Sequence, residues 1–349
     1  MKYLFIVQGE GHGHLTQAVA LEEILTARGH EVVGALVGKS STTAELPDFF
    51  LSRIKAPVSR FFSPGIEVDP DGKRGNLLRS ALNGCRHLPR CMRSVRQLKE
   101  QIERSGADVV VNFYEVICGL TYLFCAPSIP QVCIAHQYIF LHPQFAFPLF
   151  SGRRRLRMLR FFTRLTCLES AECLALSFYP LPADERAGLV VVPPLLRAEV
   201  LRSKPGEGDY VHGYMLNAGF VEELLAWHAR HPQVRLQFYR RDPEAPLAET
   251  VDDTLVLLQP DGESFLRSMS NCRAYATTAG FESVCEALFM GKPVMMVPTH
   301  VEQECNAFDA ARYGAGIISD GFDLTPLSIL PAPIAPRKNF PHGRAARPA

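Results

Sequence analysis

Short apolar runs alternate with stretches of helical spacing, and they do so twice along these 349 residues. The chain opens Met1-Lys2 and runs straight into Tyr3-Leu4-Phe5-Ile6-Val7. A glycine-rich turn follows over residues 8–14, and apolar side chains then fall at Leu15, Ala18, Val19, Leu21, Ile24 and Leu25. That spacing is helical, and Gly29 stops it. Strand-like runs recur at 31–37, 108–111 and 131–134, with helix-like stretches at 92–105 and 114–124. Strands that alternate with helices predict a parallel, doubly wound α/β sheet.

The pattern restarts after residues 203–208, Ser-Lys-Pro-Gly-Glu-Gly, which read as a linker. Strands are expected at 210–216, 234–239, 254–258, 274–276 and 293–297, and helices at 221–228, 263–270, 282–289 and 303–313. A chain this long exceeds what one hydrophobic core usually supports. The expected organisation is therefore two Rossmann-like units, 1–202 and 209–324, joined by 203–208. Beyond them lies a tail, 325–349, with prolines at 326, 331, 333, 336, 341 and 348. Proline continues neither helices nor central strands, so the tail is expected to be irregular.

Charge and cysteine use narrow the class. The formal net charge of +1 gives no global field for nucleic acid. None of the ten cysteines forms a Cys-x-x-Cys pair, and several sit in apolar runs, which suits a reduced, cytoplasmic protein without a bound metal. The first apolar run is too short for a signal peptide. Residues 116–141 carry no Asp, Glu, Lys or Arg and are long enough to span a bilayer. Pro127, Pro130, His136 and Gln137 interrupt them, so we read helix, turn and buried strand instead.

Three constellations carry chemistry. The first is Gly9-Glu10-Gly11-His12-Gly13-His14, between a strand and a helix. Gly11 and Gly13 allow a tight turn and close backbone approach, and a helix N-terminus favours negative charge. Position 14 is His where a dinucleotide fingerprint needs its third Gly, and Val37-Gly38-Lys39 supplies no acid at the end of the second strand. A dinucleotide site is therefore disfavoured. An imidazole at the carboxyl end of a strand is placed to take a proton from a hydroxyl; the plainer alternative is a turn histidine bonded to its own backbone.

The second constellation runs from Tyr275 through Thr278, Ala279, Gly280, Phe281, Glu282, Ser283 and Glu286, followed by Gly291-Lys-Pro-Val. A strand ends at a Thr/Gly turn and a helix starts at once, so free amides would suit a diphosphate. Thr278 and Ser283 could add hydroxyl donors, and a carboxylate on that helix could accept both hydroxyls of a ribose. The third, Pro298-Thr-His-Val-Glu-Gln-Glu-Cys-Asn306, places Glu302 and Gln303 where they could bond sugar hydroxyls, with Asn306 bracing the loop.

Together these residues resemble the donor half of GT-B glycosyltransferases. The likeness is to the UDP-glucuronosyl/glucosyltransferases and the lipid-linked N-acetylglucosamine transferase of peptidoglycan synthesis. Gly13-His14-Leu15-Thr16-Gln17 resembles their Gly-His-x-x-Pro element, with Gln17 in place of Pro. The resemblance covers residues 1–40 and 270–316. It implies two doubly wound domains facing across a cleft, with His14 as the acceptor-activating base. Residues 280–283 would touch the donor phosphates, Glu286 the ribose, and Glu302 and Gln303 the sugar. It also implies direct, inverting displacement at the anomeric carbon without a metal, the nucleotide-sugar being a co-substrate rather than a cofactor. Glu115 stands near where relatives carry an acid that orients the base, and the tail lacks the family's returning C-terminal helix.

Residues 150–165 interleave six arginines with Phe150, Phe161, Phe162 and leucines. Such a stretch suits either an amphipathic helix packed on its domain or one on an anionic membrane surface, which would favour a lipid-linked acceptor. Three function classes follow: a hexosyltransferase using a UDP-sugar, a nucleotide-sugar epimerase, and a non-catalytic nucleotide-sugar-binding protein.

Overall fold

A computed structural model describes residues 1–41, 45–65, 86–216, 218–242 and 244–328. Among them the chain divides into two compact units, with the boundary between Arg197 and Ala198.

The first unit has strands β1 (Lys2–Gln8), β2 (Glu31–Lys39), β3 (Val58–Phe62), β4 (Val109–Phe113), β5 (Gln131–Ala135), β6 (Glu172–Leu176) and β7 (Leu189–Val192). They form one parallel sheet in the order β3-β2-β1-β4-β5-β6-β7. Its helices are α1 (Gly13–Ala27), the single turn α2 (Asp48–Leu51), α3 (Leu88–Arg104), α4 (Val116–Cys125) and α5 (Arg153–Thr166). Leu4 to Val7 of β1 are all buried, because helices cover both faces of a parallel sheet. One core cluster joins Leu4 and Ile6 to Val95, Leu98 and Ile102 of α3 and to Ile117 and Cys118 of α4. Glu22 of α1 is buried too, its carboxylate accepting the amides of Lys55 and Ala56 at 2.8 Å each. That contact fixes the approach to β3.

The second unit opens with the short helix α6 (Ala198–Arg202) and has strands β8 (Tyr210–Met215), β9 (Arg235–Arg240), β10 (Ala248–Thr250), β11 (Leu255–Leu258), β12 (Ala274–Thr277), β13 (Val294–Met296) and β14 (Ile317–Ile318). Their order is β10-β11-β9-β8-β12-β13-β14, antiparallel only between β10 and β11. Helices α7 (Val221–His228), α8 (Gly262–Asn271), α9 (Phe281–Phe289), α10 (Val301–Arg312) and the turn α11 (Thr325–Ser328) complete it. Trp227, Phe238 and Phe322 centre its own core.

Several expectations shift. α1 begins at Gly13 and α10 at Val301, each two residues early, so His14, Glu302 and Gln303 sit inside first helical turns rather than in loops. Residues 203–208 are fastened to the second unit: Gly206 and Gly208 donate to Ser270 and Asn271, and Lys292 Nζ donates to Gly206 at 2.7 Å. The tail's first residues are not irregular. Leu324 and Leu327 belong to the second core, and Trp227 Nε1 donates to Thr325 Oγ1 at 3.1 Å. The expectation for 329–349 lies outside the described residues. The uncharged stretch 116–141 forms α4, β5 and a 3-10 segment (His136–Leu141), and no helix among the described residues is long and apolar enough to cross a membrane.

Candidate active site

In an open α/β sheet, ligands bind beyond the carboxyl ends of strands where the winding direction reverses. The first unit reverses between β1 and β4, the second between β8 and β12. The predicted residues gather at these two places.

In the first unit the chain leaves β1 through Gly9, Glu10 and Gly11 and enters α1, whose N-cap, His12, gives no side-chain cap. His12 instead lies against Phe49, ring centroids 5.2 Å apart. His14 follows one residue into the helix and is 8% exposed. Its ring stacks on Tyr114 just beyond β4, with centroids 5.4 Å apart and planes at 23°. Gln17 Oε1 lies 3.3 Å from His14 Nδ1, and Gln137 Nε2 lies 3.3 Å from His14 Nε2. An amide oxygen only accepts and an amide nitrogen only donates. With the two glutamines so oriented, the proton lies on Nδ1 and Nε2 accepts from Gln137. Gln17 sits in the second turn of α1, so a side chain three residues on is what α1 offers His14.

Tyr114 holds a left-handed φ of 60°. Its hydroxyl meets Thr163 Oγ1 at 2.9 Å, and Tyr138 and Phe162 flank it edge-on at 5.8 Å. Glu115 comes next and is fully buried. It caps α4 by accepting the Ile117 amide at 3.0 Å, and it accepts the Ser63 hydroxyl at 2.6 Å. A Cβ on Gly38 would lie 2.3 Å from its second oxygen, so only glycine admits that carboxyl. Burial pushes the carboxyl up to about 7, against the pull of the Ser63 and Ile117 bonds, and the charge of Glu10 adds to the rise. The hydrogen bonds of Glu115 thus go to Ser63 and to the start of α4, while His14 is set by Gln17, Gln137 and Tyr114.

In the second unit β12 ends at Thr277 and the turn 278–280 leads into α9. Ala279 is buried and holds a left-handed φ of 60°. In a non-glycine residue that conformation costs about 1–2 kcal/mol, and surrounding bonds hold it. The Thr278 amide donates to Tyr214 at 3.2 Å, the Val297 amide to Thr277 at 2.7 Å, and Asn306 Nδ2 to Ala279 at 3.4 Å. Asn306 thus braces the turn, as its position suggested. Gly280 is the N-cap of α9 and no side chain caps the helix. Ser283 turns its hydroxyl back onto Gly280 O at 3.2 Å. A Cβ at Gly280 would meet only Ser283 Oγ, at 3.6 Å, and its φ is an ordinary −66°. Neither packing nor backbone demands glycine there.

Phe281 is buried, and Glu286 is buried one turn beyond Glu282 on α9. Glu302 and Gln303 follow β13 in the first turn of α10. Gln303 Oε1 accepts both the amide (2.9 Å) and the hydroxyl (2.7 Å) of Thr299, tying the segment before the helix to its first turn. Behind the turn, His212 is held uncharged: burial pushes it down to about 3, and Ser268 Oγ sits 2.9 Å from its Nδ1. The tyrosine beside it, Tyr275, is pushed up by burial.

The sequence reading missed Gln137 and Tyr114 as neighbours of His14. Gln137 was visible only as a polar residue in an uncharged stretch, and Tyr114 carried no local signal. Each unit places a left-handed, non-glycine residue just past a strand at the reversal, Tyr114 after β4 and Ala279 after β12, although Glu115 caps the helix that follows the first and no N-cap side chain caps the helix that follows the second. Strain of this kind clusters at binding sites. Chemically, the first unit offers an imidazole whose Nε2 faces the Gln137 amide, and the second offers a glycine-capped helix start near buried carboxylate and amide groups.

Comparison with known proteins gives three findings. A family model described as glycosyl transferase family 1 matches residues 1–330. No curated protein matches the sequence. Among solved structures, the chain is similar to UGT2 of Phytolacca americana, solved with UDP-2fluoro-glucose and pterostilbene, at 14% identity and a TM-score of 0.62, covering 91% of this chain and 85% of that one. It is also similar to a UDP-glucosyltransferase from Polygonum tinctorium at 17% identity and 0.62, covering 92% and 86%. The glycotransferase of kitacinnamycin matches at 16% and 0.60, covering 94% and 87%. These likenesses are of fold, the GT-B arrangement of two Rossmann-like units.

Proposed function

The chain belongs to glycosyl transferase family 1, and from that premise we propose that it moves a hexose from a UDP-sugar to a hydroxyl acceptor. The observation that carries the reading is the N-terminus of α9, which begins on a glycine directly after the left-handed Ala279 at the end of β12. Its N-cap, Gly280, makes no side-chain cap, and that glycine is one the chain itself does not require. Aligned amides and the helix dipole favour an anion, and a diphosphate is the anion a UDP-sugar presents. Thr278, Ala279, Gly280, Phe281 and Ser283 form this cradle. Glu286 accepts the ribose hydroxyls, and Glu302 and Gln303 bond the sugar. Because the amides bear the leaving charge, the reaction runs without a metal, and a chelator leaves the rate unchanged.

The acceptor hydroxyl displaces the Gln137 amide from His14 Nε2, and that nitrogen then takes the hydroxyl proton. The acceptor oxygen bonds to the anomeric carbon from one side as the bond to the diphosphate oxygen breaks on the other, so the configuration inverts. Gly11 and Gly13 keep the backbone beside His14 small. Gln17 and Gln137 hold its tautomer, and Glu115 acts one step removed, by anchoring the segment that carries Tyr114.

Titration calorimetry against UDP-, GDP- and TDP-sugars, followed by transfer assays, tests the reading. We expect a UDP-sugar to bind, and His14→Ala to keep that binding while losing about 10²–10⁴-fold in transfer. Failure of every nucleotide-sugar to bind removes the donor site. Donor turnover without acceptor points to an epimerase, and binding without His14-dependent transfer to a binding protein.

A second observation bears on the acceptor. α5 turns Arg153, Arg154, Arg157, Phe161 and Arg164 to solvent, and Leu149 and Phe150 stand exposed just before it. Cationic and apolar groups together suit an anionic lipid surface, at about 1 kcal/mol per charge. We read this face as a peripheral membrane contact and the acceptor as a lipid or glycolipid. Flotation with phosphatidylserine vesicles is expected to carry the protein, and changing Arg153, Arg154 and Arg157 to Ser to release it. Unchanged flotation of the variant sinks this part.

A further inference from the structure

The proposed reaction uses none of the chain's thiols, yet three of them converge in the first unit. Cys133 of β5 and Cys173 of β6 are register partners on neighbouring strands, so their side chains leave the sheet on the same face. Cys167 caps the end of α5, and Glu169, at a left-handed φ of 54°, turns the chain back toward β6. Ser170 links the ends of this turn. Its hydroxyl reaches the Cys167 carbonyl at 2.9 Å and lies 3.2 Å from Cys173 Sγ. Cys133 Sγ points to the Thr166 carbonyl, 3.9 Å away, beside Cys167. Cys173 and Cys133 are buried, whereas Cys167 is half-exposed.

A thiolate at Cys173 would receive S–H donors from Cys133 and Cys167 and the Ser170 hydroxyl, and these pull its titration below the ordinary thiol range. The same sharing, together with burial, pushes Cys167 and Cys133 upward. A thiolate is the form that attacks an oxidant.

We propose that Cys167 and Cys173 are a modification site, closing to a reversible disulfide under a peroxide-class oxidant. The Cys173 sulfur attacks one peroxide oxygen. The O–O bond breaks, the released hydroxide takes a proton to become water, and Cys173 becomes a sulfenic acid. The Cys167 sulfur then displaces hydroxide from that sulfur, the S–S bond forms, and the thiol proton completes a second water. Two thiols lose two electrons, and one peroxide gains them. Cys167 is the partner because it sits on a helix cap joined to β6 by a short turn. Cys133 is held in the β5–β6 ladder, and its Sγ is turned toward the Thr166 carbonyl rather than toward the turn that carries Cys167 into β6.

The sequence makes the outcome legible by mass spectrometry. Trypsin leaves Cys167 and Cys173 together in one peptide, 165–186, and Cys133 in another, 105–153. The full-length reduced protein is treated with hydrogen peroxide, alkylated without reductant and digested. We expect peptide 165–186 to lose two hydrogens, resist alkylation and recover both sites after dithiothreitol. In Cys167→Ser, we expect Cys173 to persist as a sulfenic acid that dimedone traps. Alkylation of both cysteines after peroxide overturns the proposal. So does a cross-link between peptides 165–186 and 105–153, or oxidation confined to Cys167.

Discussion

Glu115 shows how one buried side chain can carry a pH dependence of the whole fold. Its carboxyl is fully buried and raised from 4.5 to about 7, chiefly by burial. Between those values the folded chain holds a proton that the unfolded chain has released. Stability therefore falls as pH rises through that window and stays lower above it, by about 3 kcal/mol. Glu115→Gln keeps an oxygen for Ser63 and for the Ile117 amide but carries no charge. We expect its urea midpoint to match the parent at pH 4 and to exceed it at pH 8, where the unfolding free energies should differ by about 1–3 kcal/mol. Equal midpoints at both values would remove the buried charge as the cause. Sequence pointed to Glu115 through its place after a strand, as an acid near the base. It could not reveal Ser63, 52 residues earlier, or the shape of Gly38, because those contacts exist only once β2, β3 and β4 lie side by side. For the same reason it found His14 and not Gln137, which is 123 residues away.

At the scale of elements, legibility followed burial. Strands buried on both faces announce themselves as continuous apolar runs, and β1, β4, β5, β12 and β13 were all expected. Edge elements give weaker signals. β3 exposes Ser59 and Arg60, β10 has three residues and β14 two, and none was read from the sequence. The four-residue β7 also lies at an edge, and it was missed together with β6. Helix starts were misplaced for a different reason. α1 and α10 begin on His12 and His300, neither of which caps with its side chain, so the usual Ser, Thr, Asp or Asn marker is missing. α9 shares that lack, and its open end yields a test that separates folding from binding. Gly280 has room for a methyl group and an unstrained φ. Gly280→Ala should therefore change stability by no more than about 1 kcal/mol. The methyl would stand over the amides proposed to hold the diphosphate. We expect UDP-sugar affinity to fall tenfold or more, equivalent to about 1.4 kcal/mol. Unaltered affinity in a folded Gly280→Ala protein would place the phosphates elsewhere.

For the whole molecule, the double alternation was the durable signal, because each half repeats the same strand-helix grammar and closes its own sheet. The boundary was less visible. Pro and Gly at residues 203–208 look like a free linker, but Lys292, distant in sequence, ties them down. Likewise the proline at 326 concealed a helical turn whose Leu327 packs under Trp227 and Phe322. Two sheets with separate cores need not unfold together, and the chain supplies a reporter that tells them apart. Its single tryptophan, Trp227, is buried in the second core, so fluorescence follows that unit alone while far-UV circular dichroism follows both. A ligand that binds only the folded second unit raises that unit's stability by RT ln(1 + [L]/Kd), about 2.7 kcal/mol at a hundredfold excess over Kd. With the donor seated on α9, a UDP-sugar should move the Trp227 transition to higher urea. The remaining dichroism change, carried by the first unit, should keep its midpoint. A shift confined to that remaining change would place the nucleotide-sugar on the first unit and overturn its assignment to α9.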